Sequence, residues 1–189
     1  MKFCSQCAHP LVFEVPPDDN FPRHMCKQCG TIYYDNPKIV VCSIPVWEES
    51  DEPRILLCKR AIEPRSGYWT LPGGFMENKE TTAEAAIRET SEEAGAHIDL
   101  HGLFSLMNLP TAHQVHLFYR ARLLDLEFDP GTETTEVKLF AKHEIPWRQL
   151  AFSTIKYALE LYFDDHRKSV HGGNFGFHPV DILNPRYPD

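Results

Sequence analysis

GFMENKETTAEAAIRETSEEAGA, residues 74–96, decides the reading of this chain. Thr81 and Glu84 have the spacing of a capping box, and Ala83, Ala86, Ile87 and Ala94 recur on an apolar side. Gly95 stands where a helix gives way to a left-handed residue. A helix between Thr81 and Gly95 is therefore expected, directly after the tight Gly73-Gly74 turn. On it Glu89, Glu92 and Glu93 occupy i, i+3 and i+4 and project from one side. Like charges that close repel, and a divalent cation relieves the repulsion. Carboxylate oxygens are hard ligands that suit Mg²⁺ or Mn²⁺ better than a soft metal. Arg88 lies one turn from both Glu84 and Glu92 and is expected to pair with either. The competing reading is a solvated acidic helix that only keeps the protein soluble.

Against that alternative stands a pattern. Gly74, Glu80, Arg88, Glu89, Glu92, Glu93 and Gly95 fill every fixed position of Gly, five residues, Glu, seven residues, Arg-Glu, two residues, Glu-Glu, one residue, Gly. The stretch resembles the Nudix hydrolase family. The resemblance implies an α/β fold, an α/β/α sandwich with a mixed sheet, in which this loop and helix bind metal and pyrophosphate. Carried over by position, Glu89 and Glu93 are metal ligands, Glu92 is a further ligand or handles the attacking water, and the Gly73 carbonyl is another ligand. Which glutamate is the general base varies within the family. Some members take it from a loop beyond the box, for which Glu133 and Glu136 are the candidates here; an ordinary exposed carboxylate is the alternative for each. Thr90 and Ala96 replace residues that are usually aliphatic, so looser helix packing is expected.

A second constellation lies at the N-terminus. Cys4-x-x-Cys7 and Cys26-x-x-Cys29, eighteen residues apart, have the spacing of a four-cysteine zinc ribbon. Gly30 supplies permissive backbone after the second pair. Disulfides are the alternative, but no signal peptide precedes Cys4, and Cys42 and Cys58 sit in apolar runs typical of buried thiols. With no open coordination position, the Zn²⁺ is expected to be structural.

The chain of 189 residues suits one ordinary domain plus a small module. At 42% hydrophobic it can bury a core, and no apolar run approaches a membrane span. A net charge of −8 argues against a general nucleic-acid binder. The ribbon is no exception, because Lys2, Arg23, Lys27 and Lys38 are balanced by Glu14, Asp18, Asp19 and Asp35. Residues 1–37 are read as the ribbon, 38–166 as the Nudix domain and 167–189 as an extended or flexible tail whose aromatics could dock on a partner subunit. Strands are expected at 38–47, 54–60, 100–107, 113–124 and 137–141, with a charged turn at 48–53. A second helix is expected at 154–163 behind a Ser153 cap. The missing targeting segment points to the cytoplasm; family members are often dimers, so the resemblance leaves a homodimer open while the sequence itself does not give the oligomeric state.

Residues outside the box select the substrate. A ribbon followed by a Nudix domain resembles both the NADH pyrophosphatases and a group acting on FAD and ADP-ribose. The former carry Ser-Gln-Pro-Trp-Pro-Phe-Pro after the box, whereas this chain has Ser105-Leu-Met-Asn-Leu-Pro-Thr111. The wider resemblance, through TLPGGFME and EIPWRQLAF to the last helix, is to the FAD and ADP-ribose group. It implies metal-dependent hydrolysis of an ADP-containing dinucleotide or nucleotide sugar with release of AMP. NADH hydrolysis and removal of damaged nucleotides are alternatives; a non-catalytic sensor or RNA-binding protein is an alternative of another class. Tyr68, Trp69 and Phe75 are candidate stacking faces for a flat ring, with Gly74 in the phosphate loop and Arg60 or Arg65 for phosphate charge. Core packing competes for Trp69 and Phe75, and a plain strand end for Arg60.

Overall fold

The computed structural model describes residues 1–49 and 52–183. Ser50 and Asp51 of the expected charged turn, and 184–189 of the expected tail, lie outside the described residues. The chain forms two compact units, Met1–Pro37 and Lys38–Asp189.

In the first unit, β1 (Val12–Glu14), β2 (Arg23–Met25) and β3 (Ile32–Tyr33) make an antiparallel sheet in that order. Each cysteine pair bends through the same knuckle. The Ala8 N–H donates to the Cys4 carbonyl and the Gly30 N–H to the Cys26 carbonyl, both at 2.9 Å. Both residues take left-handed φ, 58° at Ala8 and 74° at Gly30. Gly30 adopts it freely, while Ala8 costs about 1 kcal/mol for the same turn.

The second unit holds β4 (Lys38–Trp47), β5 (Arg54–Arg60), β6 (Trp69–Thr70), β7 (Gly73–Phe75), α1 (Thr82–Ala94), β8 (Ile98–Leu109), β9 (Gln114–Leu123), β10 (Thr134–Ala141), α2 (Ser153–Ser169) and β11 (His178–Asp181). One mixed sheet runs β10-β5-β4-β9-β8-β11, with β6 joined to β5 and β7 to β4. Parallel pairing of β4 with β9 and of β11 with β8 makes it mixed. Side chains alternate across β4: Cys42, Ile44 and Val46 face a core with Ile155, Leu159, Tyr162 and Phe163 of α2. Val41 faces Ala85 and Ala86 of α1. The two helices thus cover opposite faces of an α/β/α sandwich.

Helix α1 starts as its sequence dictates, with Thr81 and Glu84 exchanging both capping-box bonds, and ends at Gly95 with φ 62°. Its buried face is Ala85, Ala86, Thr90, Glu93 and Ala94, whereas Ile87 points outward. The looser packing expected at Thr90 and Ala96 is absent. Thr90 is fully buried with its hydroxyl bonded to the Ala86 carbonyl and 2.7 Å from Ser43 Oγ, and Ala96 is buried in a cluster with Leu56 and Leu123.

The C-terminal region departs from the sequence reading. Ser153 is the first residue of α2 and not its cap; Phe152 takes the cap position without a side-chain bond. The helix runs to Ser169 because Asp164 pairs with Arg167 and Lys168 one turn on, and a basic last turn complements the helix dipole. The expected extended tail folds back onto the sheet. Buried Asp165 accepts from the Gly176 N–H at 2.8 Å and lies 2.7 Å from His178 Nε2, Phe175 packs near Phe104 and Tyr162, and β11 pairs with β8.

Candidate active site

The tight turn expected at Gly73-Gly74 is instead strand β7, laid antiparallel on β4 so that Cys42 pairs with Gly73 and Val41 with Gly74. The approach is so close that a Cβ on Gly73 would lie 2.5 Å from Cys42 Sγ, and one on Gly74 2.5 Å from Glu89 Oε1. Glycine at 73 lets the backbone lie directly on β4, and glycine at 74 lets it lie against Glu89 of the helix that carries the acids. The Gly73 N–H donates to Glu93 Oε2 at 3.0 Å.

The three box carboxylates sit at different depths. Glu93 is 8% exposed, the Glu89 side chain 13% and the Glu92 side chain 60%. Burial pushes Glu93 up to about 7, with the charges of Glu89 and Glu133 adding to it and the Gly73 N–H and Arg60 opposing. Burial raises Glu89 as well, against the hydrogen bond from Arg88. Glu92 is drawn to the solvent side, its Oε2 2.9 Å from Arg88 Nη1. The same Arg88 nitrogen also reaches Glu89, so Glu92 stays close enough for its charge to add to the rise at Glu89.

Arg88 is the hub of the acids. It forks onto Glu80 at 3.0 and 2.8 Å, reaches Glu89 at 2.8 Å, and donates to the Phe75 carbonyl at 3.2 Å. The guanidinium beside Glu80 holds that carboxyl down to about 2. Glu84, expected as an Arg88 partner, is instead taken up by the capping box at Thr81.

Glu133 and Glu136 separate. The charge of Glu133 raises both Glu89 and Glu93, whereas Glu136 lies on β10 with Lys59 3.6 Å away. The segment 129–131 is docked on the end of α1, where the Asp129 N–H donates to the Ala94 carbonyl and the Gly131 N–H to the Glu93 carbonyl, and the Glu133 carbonyl accepts from the Ala61 N–H just after β5. A Cβ on Gly131 would lie 1.8 Å from the Glu92 carbonyl oxygen. Gly131 and the docking it permits were missed in the sequence, where an isolated Gly-Thr-Glu-Thr-Thr reads only as a turn.

Of the expected ring-binding residues, Trp69 is not available: it is buried edge-on to Phe140 in the core. Phe75 is 47% exposed, with Lys38 Nζ 5.1 Å from its ring centre. Tyr68 is half-buried beneath the Arg65 guanidinium. Arg60 donates to the Pro64 carbonyl, lies against Phe152, and places its charge where Glu93 feels it.

In the ribbon, the four sulfurs of Cys4, Cys7, Cys26 and Cys29 lie within 4.8 Å of one another, with Cys4 to Cys29 at 3.6 Å and Cys7 to Cys26 at 3.4 Å. Four thiolates around Zn²⁺ at ~2.3 Å require sulfur separations of about 3.8 Å, so the donor set fits. All six cysteines are free of disulfides. Tyr33 orients the cluster: its hydroxyl accepts from the Ser5 N–H at 2.8 Å and lies 3.1 Å from Cys4 Sγ, which it helps pull down to about 6. No helix among the described residues is long and apolar enough to cross a membrane.

Residues 37–161 match the NUDIX domain family, and residues 2–35 match the Nudix N-terminal zinc-ribbon family. The NAD-capped RNA hydrolase NudC of Chromobacterium violaceum is 33% identical over 69% of this chain and 44% of its own length. The ADP-ribose pyrophosphatase of Methanocaldococcus jannaschii is 32% identical over 52% of this chain and 60% of its own. The chain thus spans less than two thirds of either curated relative. A crystal structure of a NUDIX hydrolase from Nitrosomonas europaea is 45% identical, covers 96% of this chain and 100% of that one, and superposes with a TM-score of 0.86. Two family matches that together run from the ribbon through α1 into α2 leave one conclusion: the chain belongs to the Nudix hydrolase family, with a Nudix-type zinc ribbon ahead of its NUDIX domain.

Proposed function

We propose that this protein hydrolyses the pyrophosphate bond of an ADP-containing dinucleotide or nucleotide sugar, with ADP-ribose or FAD as substrate, releasing AMP and a second phosphorylated product. The observation that carries the proposal is Glu93, a buried carboxylate beside Glu89 and within the field of Glu133. Such a group is destabilised until a cation neutralises it. Oxygen donors of this kind fit Mg²⁺ or Mn²⁺. Glu89, Glu93 and the Gly73 carbonyl would hold the cation, with Glu92 reaching it on release from Arg88. A cation bound there supplies neutralisation of phosphate charge and a more acidic water.

The residues of the chain do the rest. Glu133, held on its docked loop, accepts a proton from the attacking water. The new P–O bond forms as the bridging P–O bond breaks, and the bridge oxygen leaves on the second product. Arg60 and Arg65 balance phosphate charge, and the exposed face of Phe75 and the half-buried Tyr68 stack on a flat ring. Arg88 fixes Glu89 in place. The departure at 105–111 from the NADH-type array, together with the ADP-ribose pyrophosphatase among the relatives, supports ADP-ribose over NADH.

The test is product analysis of zinc-replete protein incubated with ADP-ribose, FAD, NADH, NAD and nucleoside triphosphates, each with Mg²⁺ or Mn²⁺. AMP released fastest from ADP-ribose or FAD is the expected result. Faster release from NADH or NAD moves the assignment to those dinucleotides, and tight binding of one compound without turnover moves it to a ligand sensor.

A further inference from the structure

Ser43 and Thr90 form a buried hydroxyl pair in the middle of the unit, both 0% exposed, with 2.7 Å between their oxygens. The direction of the contact is fixed. The Thr90 hydroxyl has one proton and gives it to the Ala86 carbonyl at 2.7 Å, so Ser43 must donate to Thr90. The result is a directed chain, Ser43 hydroxyl to Thr90 hydroxyl to Ala86 carbonyl, from strand β4 into helix α1.

Ser43 has a second connection. Its backbone N–H donates at 3.0 Å to the carbonyl of Pro72, the residue before Gly73. One residue therefore ties the entry to β7 by its backbone and the helix by its side chain. Thr90 follows Glu89 directly and precedes Glu93 by three residues. The contacts between β7 and the helix are tight: the Gly73 N–H meets Glu93 at 3.0 Å, and Gly74 leaves no room for a Cβ against Glu89. Apolar packing at Thr90 would hold the helix against the sheet but, being non-directional, would let it slide or rotate by a few tenths of an ångström. A directed hydrogen bond between two buried groups does not.

We propose that Ser43 and Thr90 are positioning residues that fix the register of α1 against the start of β7 at Gly73 and Gly74, and so set the placement of Glu89 and Glu93 for reaction. The inference rests on the metal-site reading of those glutamates for its catalytic consequence, but not for its structural one.

The experiment compares wild type with Thr90→Val, Ser43→Ala, the double variant and Thr90→Ser. It reads thermal stability, amide hydrogen exchange in 70–76, Mn²⁺ affinity, and kcat and KM for ADP-ribose. Thr90→Val leaves the Ser43 proton buried without an acceptor, so it is expected to be the worst of the set, and removing both hydroxyls should recover part of its loss. In Thr90→Val, exchange in 70–76 should rise, Mn²⁺ should bind more weakly, and kcat should fall about tenfold, since misplacement near 1 Å can cost about a hundredfold. KM should move far less, and Thr90→Ser should restore all readouts. Ser169→Ala serves as control: its half-buried hydroxyl donates to the His166 carbonyl at 2.8 Å in the last turn of α2, so it should lower stability alone. Thr90→Val with wild-type exchange, Mn²⁺ affinity and kcat overturns the proposal, whatever its melting temperature. A wild type that neither binds Mn²⁺ nor cleaves ADP-ribose overturns the metal-site reading instead, and exchange in 70–76 still decides whether the pair sets the register.

Discussion

Replacing Glu93 with Gln should make the metal-free protein more stable and the enzyme nearly inactive. Glu93 is 8% exposed and its carboxyl is raised from an ordinary 4.5 to about 7. Because the folded state holds the proton more tightly than the unfolded chain, the stabilising contribution is complete below about pH 4.5 and is lost as pH rises through 7. The gap between 4.5 and about 7 corresponds to about 3 kcal/mol at pH 8. Gln keeps the shape and still accepts from the Gly73 N–H, but never ionises. In magnesium-free buffer at pH 8 the variant should therefore melt higher than wild type by about 6–12 °C, at ~2–4 °C per kcal/mol for a chain of this size. At pH 5 the wild-type carboxyl is protonated in the folded protein, and the difference should shrink below about 1 kcal/mol. Added Mg²⁺ should raise the melting temperature of wild type and leave the variant unmoved, while kcat of the variant falls by about a thousandfold. The assay is differential scanning calorimetry at both pH values without chelator, so that the ribbon keeps its zinc. A variant no more stable than wild type at pH 8 would refute the burial argument, and a variant with near-normal turnover would refute the role given to Glu93.

Three further outcomes can be measured alongside. Glu133→Gln should lower kcat by about 10²–10³, as expected for loss of a general base, whereas Glu136→Gln, which removes only a surface ion pair, should stay within about twofold; equal effects would dissolve the distinction drawn from their positions. Trp69→Ala should cost about 3–5 kcal/mol of stability, as a buried aromatic does, while Phe75→Ala should leave stability within about 0.5 kcal/mol and raise KM for the dinucleotide. Cys26→Ser should abolish the one zinc ion per chain found by metal analysis and unfold Met1–Pro37, a unit too small to hold together by its core alone; zinc well below one ion per wild-type chain would count against the ribbon.

The parts legible in the sequence are those governed by local periodicity and fixed spacing. The capping box at Thr81, the left-handed Gly95, the strands Lys38–Trp47 and Arg54–Arg60 and the paired Cys-x-x-Cys knuckles depend on neighbours a few residues away. What escaped depends on residues that meet only after folding. Arg88 prefers Glu80, eight residues back, to Glu84, because the loop before α1 folds over the helix. Tyr33 reaches Cys4 across the ribbon, and Thr90 finds Ser43 from an adjacent layer. Trp69 and Phe75 look alike as aromatics flanking two glycines, yet one is buried edge-on to Phe140 and the other faces outward. Glycine-rich 170–177 carries no strand signal ahead of β11, and what anchors it meets it only after folding: buried Asp165 at Gly176 and His178, and Phe104 and Tyr162 against Phe175.

That anchoring has a bearing on how the protein tolerates shortening. Strand β11 lines Ser105, Leu106, Met107 and Asn108 along one side of β8, and the Ile182 N–H adds a bond to the Asn108 carbonyl. A chain ending soon after α2 would leave that side of β8 with bare amide and carbonyl groups beside apolar side chains, an open template for strand addition from another molecule. The last residues of the sheet thus act as a guard against self-association, and a truncated protein that keeps every acid of the active site would still be expected to come out of solution.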